Sequence, residues 1–198
     1  AAQNKCELAV IGPENPLADG IADALSDANI ACFGPTQKMA QLESSKAFAR
    51  ELMHAFKISG LPRFQVFDSA DGLNDFAGSL GEFVVKQDGL AGGKGVLVQG
   101  DHFKTKQDGV DACKKMFSKG QKVVVEEKLV GQEFSIQYIA DGKTVLETPV
   151  AQDHKRAFEN DEGPNTGGMG SYSCEDHSLP FLTKQDLIDA RKITEDVM

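Results

Sequence analysis

Near its middle the chain reads Phe83-Val84-Val85-Lys86-Gln87-Asp88-Gly89-Leu90-Ala91-Gly92-Gly93-Lys94-Gly95-Val96. An apolar run typical of a strand leads into a loop with four glycines in seven residues, after which an apolar strand pattern resumes. Because glycine has no Cβ, such a loop can bring several backbone N–H groups against an anion. Lys86 and Lys94 add positive charge at its two ends. The pattern predicts a flap between two strands that covers a polyphosphate; the alternative is a flexible hairpin with solvated lysines.

The two familiar phosphate-binding motifs do not match this loop. A P-loop needs a glycine where Asp88 stands, and Ser or Thr where Gly95 follows Lys94. A dinucleotide-binding turn opens a helix, whereas this loop leads into another strand pattern. A flap between two strands that folds over a nucleotide is typical of ATP-grasp ligases.

Composition excludes several other classes of protein. The chain has 198 residues, is 40% hydrophobic and carries a net charge of −9. An acidic chain lacks the basic face that nonspecific nucleic-acid binding requires, and no run approaches the ~18 apolar residues of a membrane span. The four cysteines and four histidines show no metal-ligand spacing, so we expect reduced thiols and no zinc site. We therefore expect a cytoplasmic protein with no nucleic-acid or membrane partner.

Strand and helix patterns alternate along the chain, which predicts an α/β fold that begins with a parallel sheet. One helix is expected to start near Ser44 or Ser45, to bury Phe48, Leu52, Met53 and Phe56, and to end before Gly60. A hairpin is expected across Asp141-Gly142, and the polar stretch from Gln152 to Ser178 is expected to be a long functional loop. The other predicted strands are Leu8–Ile11, Ala31–Phe33, Phe64–Phe67 and Val123–Glu127, and the other predicted helices are Leu17–Ala28 (closed by Asn29), Ala70–Leu80, Val110–Phe117 and the Thr183-capped helix from Lys184 onward.

Three further segments carry candidate chemistry. The end of the strand before Lys128 can present backbone groups to adenine, with Glu133 near the ribose; an edge strand with solvated acids is the alternative. The segments 152–156 and 163–170 combine basic side chains with glycines, a set suited to phosphate, or else form an ordinary surface loop. Glu14 follows the first strand, where open α/β sheets bind ligands, or it belongs to an ordinary βα turn.

Together these segments resemble the phosphoribosylamine–glycine ligase family (glycinamide ribonucleotide synthetases), ATP-grasp enzymes of purine biosynthesis. They span nearly the whole chain in the family's order, and the strings at 152–156 and 163–170 are specific to this family. The segments that carry the resemblance are Gly12–Leu17, Phe33–Thr36, Ala40–Ala49, Val84–Val96, Glu126–Glu133, Gln152–Arg156 and Gly163–Gly170. One departure is Ala91-Gly92-Gly93, where the family commonly has Ala-Ala-Gly.

The resemblance implies three parts: a Rossmann-like portion with a linker helix over residues 1–61, an ATP-grasp small domain with the flap over 62–130, and the start of the larger ATP-grasp domain over 131–198. We expect the first and last parts to be incomplete, so that the chain is an internal fragment that is inactive alone. The implied reaction joins glycine to 5-phosphoribosylamine with ATP cleavage, through a glycyl phosphate intermediate. Another ATP-grasp carboxylate–amine ligase and a noncatalytic ATP-binding module remain as alternatives.

The resemblance also implies roles for individual residues. The expected catalytic residues are Lys86, Arg156 and Asn165. The residues expected to bind ATP are Lys46, Lys86, Gly89, Gly92, Gly93, Lys94, Gly95, Glu126, Glu127, Lys128, Leu129 and Glu133. The residues expected to face the substrates are Glu14, Asp153, His154, Lys155, Arg156, Asn165, Thr166, Gly167 and Gly168. Mg²⁺ (or Mn²⁺) is the expected metal, and no ligand for it is assigned within this chain.

Overall fold

The structure, a computed structural model, describes residues 2–92 and 95–198. The chain folds as two compact units, one made of Ala1–His54 with Pro62–Lys128 and the other of Ala55–Leu61 with Leu129–Met198. The fold combines helices and strands, as the sequence predicts, and the three-part division of the chain stays a prediction. No helix in the described part of the chain is long and apolar enough to cross a membrane.

From Leu8 to Glu127 the elements are β1 (Leu8–Val10), α1 (Glu14–Ala18), α2 (Ile21–Asp27), β2 (Ala31–Phe33), α3 (Gln37–Ser44), α4 (Lys46–Ala55), β3 (Phe64–Phe67), α5 (Leu73–Ser79), β4 (Phe83–Gln87), β5 (Val96–Val98), α6 (Lys106–Phe117) and β6 (Val123–Glu127). The later elements are β7 (Tyr138–Ala140), β8 (Val145–Glu147), β9 (Gln152–Asp153), β10 (Arg156–Phe158), β11 (Glu162–Asn165), β12 (Ser171–Tyr172) and α7 (Lys184–Val197). Short 3₁₀ turns cover Ala2–Asn4 and Glu159–Asp161.

The first strands pair as the strand–helix–strand order predicts, because β1 and β2 form a parallel ladder. The single helix predicted between them is wrong, since α1 and α2 are separate helices. The break lies at Gly20, whose φ of 87° is in the left-handed region. Glycine reaches that conformation without steric cost, so the chain turns there and restarts. Asn29 closes α2 as predicted, with its N–H bonded to the Ser26 carbonyl.

The helix expected near Ser44 is α4, but its predicted apolar face is only partly correct. Phe48, Leu52 and Met53 are half-buried. Phe56 lies beyond the helix end and is 74% exposed, so its predicted burial is wrong. The preceding helix α3 was not predicted; Thr36 caps it by accepting a hydrogen bond from the Met39 N–H at 3.4 Å.

A four-stranded antiparallel sheet with the order β3-β6-β4-β5 forms the centre of the first unit. Alternate side chains of β4 and β6 join the main core, which helices α5 and α6 complete. The fully buried members of that core are Leu73, Phe83, Val85, Cys113, Val123 and Val125. The register pairs Val84 with Glu126 and Lys86 with Val124. Lys86 and Glu126 therefore share the opposite face of the sheet, diagonally across two neighbouring strands.

In the second unit, β7 and β8 form the hairpin predicted across Asp141-Gly142. The long loop predicted over 152–178 is wrong in part, because β9 pairs with β12 and β10 with β11. These pairings rest on backbone hydrogen bonds among polar and glycine residues, so the sequence has no apolar alternation to reveal them. Helix α7 begins as predicted, with Thr183 and Asp186 forming a reciprocal cap.

Candidate functional site

A buried carboxylate with two cationic partners lies on the sheet face that Lys86 and Glu126 share. The Arg50 guanidinium binds Glu126 through Nε to Oε2 at 2.8 Å and through Nη2 to Oε1 at 3.4 Å. The Lys86 ammonium forms an ion pair with the same carboxylate at Oε1. Glu126 is only 4% exposed. A carboxylate this buried needs such partners, because an unpaired charge inside a protein is strongly unfavourable.

The charge state of this cluster follows from its contacts. Burial alone would raise the pKa of Glu126, but the hydrogen bonds from Arg50 and Lys86 and their positive charges outweigh it and lower the pKa. Glu126 is therefore ionised at neutral pH, and the cluster keeps one unit of excess positive charge. The side chains of Arg50 and Lys86 remain 25% and 23% exposed. Both cations can therefore still meet an anion from solvent.

A backbone hydrogen bond closes the base of the loop after Lys86, and Gly95 lies in a position without room for a Cβ. The Gln87 N–H donates to the Gly95 carbonyl at 2.7 Å. A Cβ added to Gly95 would lie 2.6 Å from the Ala91 Cβ, so only glycine fits there. Gly89 and Gly92 both have positive φ, as expected of a loop that curls back on itself. Two predicted nucleotide-binding residues, Gly93 and Lys94, lie outside the described residues.

The start of the loop is bonded to the first turn of α4. The Asp88 carboxylate accepts hydrogen bonds from the Ala47 N–H at 3.0 Å and from the Ser45 hydroxyl at 3.1 Å. The predicted phosphate ligand Lys46 donates from Nζ to the Gly89 carbonyl at 2.9 Å. The structure therefore brings Lys46 to the glycine loop, although more than forty residues separate them in sequence.

The predicted adenine-binding segment is partly engaged within the first unit. The backbone N–H groups of Glu127 and Lys128 donate to the carbonyls of Arg63 and Glu82. The Glu127 carboxylate accepts from the Arg63 N–H at 2.8 Å, and the Lys128 ammonium binds Glu82 Oε2 at 2.8 Å. These two backbone N–H groups are therefore occupied within the first unit. Farther along, Glu133 is exposed and its carbonyl accepts from Gln152 Nε2 at 3.1 Å.

In the second unit the two family-specific strings, 152–156 and 163–170, lie side by side. The Lys155 carbonyl accepts from the Thr166 N–H, and the His154 carbonyl accepts from the Met169 N–H. The Arg156 Nη1 donates to the Gly163 carbonyl at 2.8 Å, and the Gly168 N–H donates to Thr166 Oγ1 at 3.0 Å. The pairing thus brings together most of the predicted substrate residues, including the backbone of Asn165, whose side chain is outside the described part.

A cavity of about 310 Å³ opens beside these paired strands. Its lining includes His154, Arg156, Phe158 and Met169. The His154 ring stacks on Tyr172 with centroids 6.0 Å apart, and Lys155 Nζ lies 3.5 Å from Asp153 Oδ2. The exposed Gly167 lies in the connection that follows β11. The arrangement offers cationic groups and backbone donors next to a space large enough for a small ligand.

The remaining predicted substrate residue, Glu14, is the exposed first residue of α1, just after β1, where the sequence placed it. Sequence reasoning missed Arg50, Ser45 and Asp88. A usable signal for Arg50 was Glu126 itself, because a carboxylate at the end of an apolar run needs a cation. Arg50 stands four residues after Lys46, on the same face of α4.

Two family descriptions match consecutive parts of the chain. Residues 44–198 match the family described as phosphoribosylglycinamide synthetase, ATP-grasp (A) domain, and residues 1–43 match the N domain of the same synthetase. The chain is 50% identical over 193 residues to phosphoribosylamine–glycine ligase of Methanococcoides burtonii and 47% identical over 200 residues to that of Methanopyrus kandleri. It covers 44% of each relative, and 98% of the chain is aligned in both cases.

A solved structure is also similar to this chain. The crystal structure of phosphoribosylamine–glycine ligase from Thermotoga maritima superposes with a TM-score of 0.75 at 28% identity, covering 95% of this chain and 45% of that one. The chain thus spans less than half the length of each of these three proteins. Because the two family matches together extend over residues 1–198, the chain belongs to the phosphoribosylglycinamide synthetase family, and most of it is that family's ATP-grasp domain.

Proposed function

We propose that this chain provides the nucleotide-binding part of a ligase that joins glycine to 5-phosphoribosylamine with cleavage of ATP. The product is glycinamide ribonucleotide, an intermediate of de novo purine biosynthesis. The observation that carries the proposal is the cationic cluster of Arg50 and Lys86 around Glu126, at the entrance to the glycine loop. Family membership and the names of the relatives support the choice of substrates. The substrates are small molecules, and the proposed location is the cytoplasm.

The cluster suits a polyphosphate for electrostatic reasons. Glu126 compensates one of its two cations, holds both in place, and leaves positive charge for a ligand. When ATP is bound, it supplies the phosphoryl group that turns the glycine carboxylate into a better acyl donor. Lys86 stabilises negative charge on the phosphates from the strand end, and Lys46 does so from the first turn of α4. This assignment relies on positioning and charge, and it needs no covalent nucleophile.

The other predicted residues take supporting roles in this proposal. Leu129 and the backbone that follows Lys128 hold adenine, and Glu133 accepts hydrogen bonds from the ribose. The paired strings of the second unit bind the substrates: Arg156 neutralises transferred or ribose-linked phosphate, while Thr166 and the backbone of 167–168 donate hydrogen bonds. Asn165 and Glu14 complete the proposed substrate contacts.

The described residues do not fit a magnesium site. Among the side chains that the structure describes, no group of three or more His, Cys, Asp or Glu residues could hold a metal ion. Glu126 is engaged by Arg50 and Lys86, and Asp88 by α4. Both carboxylates beside the loop are therefore engaged by protein groups.

A graft tests the proposed activity directly. Residues 1–198 would replace the matching segment of the Methanococcoides burtonii relative, to which they are 50% identical. We expect ADP release that requires both glycine and 5-phosphoribosylamine. Release with a different carboxylate or amine would instead indicate another ATP-grasp ligase. ATP binding without turnover, in a folded graft, would favour the noncatalytic module.

A further inference from the structure

The first residue of the glycine loop after β4, Asp88, is held by two neighbouring segments, the start of α4 and the residue before β6. Its carboxylate accepts from the Ala47 N–H at 3.0 Å and from the Ser45 hydroxyl at 3.1 and 3.2 Å. Its own N–H donates to the Lys122 carbonyl at 2.9 Å. A carboxylate at the start of a ten-residue helix is stabilised by the unpaired N–H groups and by the helix dipole. Asp88 therefore caps α4 from a distant part of the chain.

The contact is reciprocal, because α4 also reaches the loop. Lys46 donates from Nζ to the carbonyl of Gly89, the residue after Asp88. Ser45, which donates to Asp88, also accepts from the Phe48 N–H at 3.1 Å and so completes the cap of the helix. Two adjacent loop residues are thereby linked to three consecutive residues at the helix start, 45–47. A single exposed hydrogen bond could not fix the loop in this way.

Helix α4 is attached to the sheet at a second point one turn later. Arg50, four residues after Lys46, binds the buried Glu126 carboxylate at 2.8 Å. The Asp88 and Glu126 contacts together fix the positions of Lys46, Arg50 and Lys86 relative to one another. Since Coulomb interactions fall with distance, the placement of these cations governs how well they match a polyphosphate.

We infer that Asp88 is a positioning residue for nucleotide binding: it anchors the start of the glycine loop on α4 and sets Lys46 and the loop against the phosphates. This inference rests on the proposed function, because it assigns the loop to a nucleotide. Asp88 need not touch the ligand, since its carboxylate is directed at the helix start. A cap with no further role would affect only the stability of the fold.

Phosphate-dependent affinity separates these two roles. For Asp88→Ala we expect the Kd for ATP to rise about tenfold or more, a loss of about 1.4 kcal/mol, with the Kd for adenosine changed less than about twofold. Asp88→Asn keeps an oxygen that can accept from the Ala47 N–H, so its loss should be smaller. Ser45→Ala removes one of the two donors and should also give an intermediate loss. Calorimetry on the 198-residue chain, with adenosine measured by competition, provides the constants.

Asp108→Ala is the matched control. Asp108 accepts from the Thr105 N–H at 2.9 Å in the cap of α6, so its loss removes an equivalent helix cap away from the loop. We expect this variant to lose stability with both nucleotide constants unchanged. If Asp88→Ala weakens ATP and adenosine equally, or weakens neither, Asp88 is only a cap and the inference is overturned.

Hydrogen exchange tests the anchoring step separately from nucleotide binding. Without ligand, the amide of residue 88, which donates to the Lys122 carbonyl at 2.9 Å, should exchange at least about tenfold faster in Asp88→Asn than in the unmodified chain. Unchanged exchange would overturn the anchoring step even if ATP binds. Absence of ATP binding to the unmodified chain, together with accelerated exchange in the variant, would overturn the proposed function and the nucleotide role while leaving the anchor itself established.

Discussion

Lys86 is the residue whose charge has two uses, since it pairs with Glu126 and remains partly exposed at the start of the glycine loop. We expect Lys86→Met to weaken ATP binding more than tenfold, about 1.4 kcal/mol or more, because a point charge next to the phosphates is lost. Titration with a fluorescent ATP analogue measures this. Lys114→Met is the control, because Lys114 forms only an exposed ion pair with Asp111 within α6, at 3.4 Å. Equal constants for the unmodified chain and Lys86→Met would remove Lys86 from the site.

Glu126 provides a second prediction at the residue scale, concerning stability. Glu126→Gln leaves Arg50 and Lys86 close together without their shared anion. We expect the free energy of unfolding at pH 7 to fall by about 2–3 kcal/mol, because a buried charged hydrogen-bond partner has been removed. Urea unfolding measures the loss. A loss below about 0.5 kcal/mol would mean that the pair contributes no more than an exposed salt bridge.

The same variant should reveal the pH dependence of the pair. The pKa of Glu126 is lowered in the folded state, mainly because its hydrogen bonds to Arg50 and Lys86 outweigh burial. A lowered pKa gives stability that is present above the ordinary pKa of glutamate and lost as the pH falls through the folded-state value. The difference between the unmodified chain and Glu126→Gln should therefore be constant near neutral pH and shrink below about pH 4. A difference that grows on acidification would contradict the assignment.

Only part of this site could be predicted from sequence, and the reason is physical. Lys86, Lys46 and the glycines stand out because their residue types suit phosphate, whatever they contact. Asp88 and Arg50 do not, because their significance lies in contacts 41 and 76 residues away in sequence. Such contacts depend on strand order and register, which the local pattern does not encode.

At the scale of single elements, two helical glycines should respond oppositely to alanine. In α6, a Cβ on Gly109 would lie 2.6 Å from Phe83 and 2.7 Å from Phe103, both packed in the core. We expect Gly109→Ala to destabilise the fold by about 1–3 kcal/mol through overpacking. In α5, a Cβ on Gly78 would meet nothing within 4 Å, so Gly78→Ala should stabilise by up to about 1 kcal/mol. Urea unfolding measures the change in the free energy of unfolding of each variant. Changes of the same sign would contradict this explanation.

The two tyrosines of the chain, both in the second unit, allow a similar comparison of two substitutions. The hydroxyl of Tyr138 in β7 is buried and finds no hydrogen-bond partner among the described residues. Tyr138→Phe removes this hydroxyl and should leave the free energy of unfolding unchanged or raise it by up to about 1 kcal/mol, because an unpaired buried hydroxyl is unfavourable. Tyr172 instead donates to Gln152 Oε1 at 3.0 Å, so Tyr172→Phe should be slightly destabilising. Thermal unfolding of both variants tests the comparison, and destabilisation by Tyr138→Phe would indicate an unseen partner.

Among the elements, those with strong local signals were predicted well. Val123–Glu127 and Phe64–Phe67 are confirmed as strands because short segments rich in Val and Phe favour strands in a covered sheet. The cap at Thr183 is confirmed because Asp186 follows at the spacing of a capping box. The break at Gly20 was missed, since a glycine inside a helical pattern does not by itself show whether the helix ends there.

At the scale of the whole molecule, the candidate site carries excess positive charge although the chain is negatively charged. The chain carries a net charge of −9, yet Lys46, Arg50 and Lys86 outnumber Asp88 and Glu126 around the start of the loop. An acidic surface opposes the approach of a polyphosphate, so binding has to rely on the local field of the cluster. Loss of any one of these cations should therefore matter more than its share of the total charge suggests.

The last prediction concerns the stability of the first unit as a whole. A ligand that binds only the folded state stabilises it by about 2.7 kcal/mol at a hundredfold excess over Kd. Because the chain has no tryptophan, Phe76→Trp, beside the core of the first unit, gives a fluorescence signal for that unit alone. With this reporter we expect ATP to raise the unfolding midpoint, adenosine at the same concentration to raise it much less, and Lys86→Met to remove most of the ATP effect. An identical shift with ATP and adenosine would mean that the phosphates are not bound by the glycine loop and its cations.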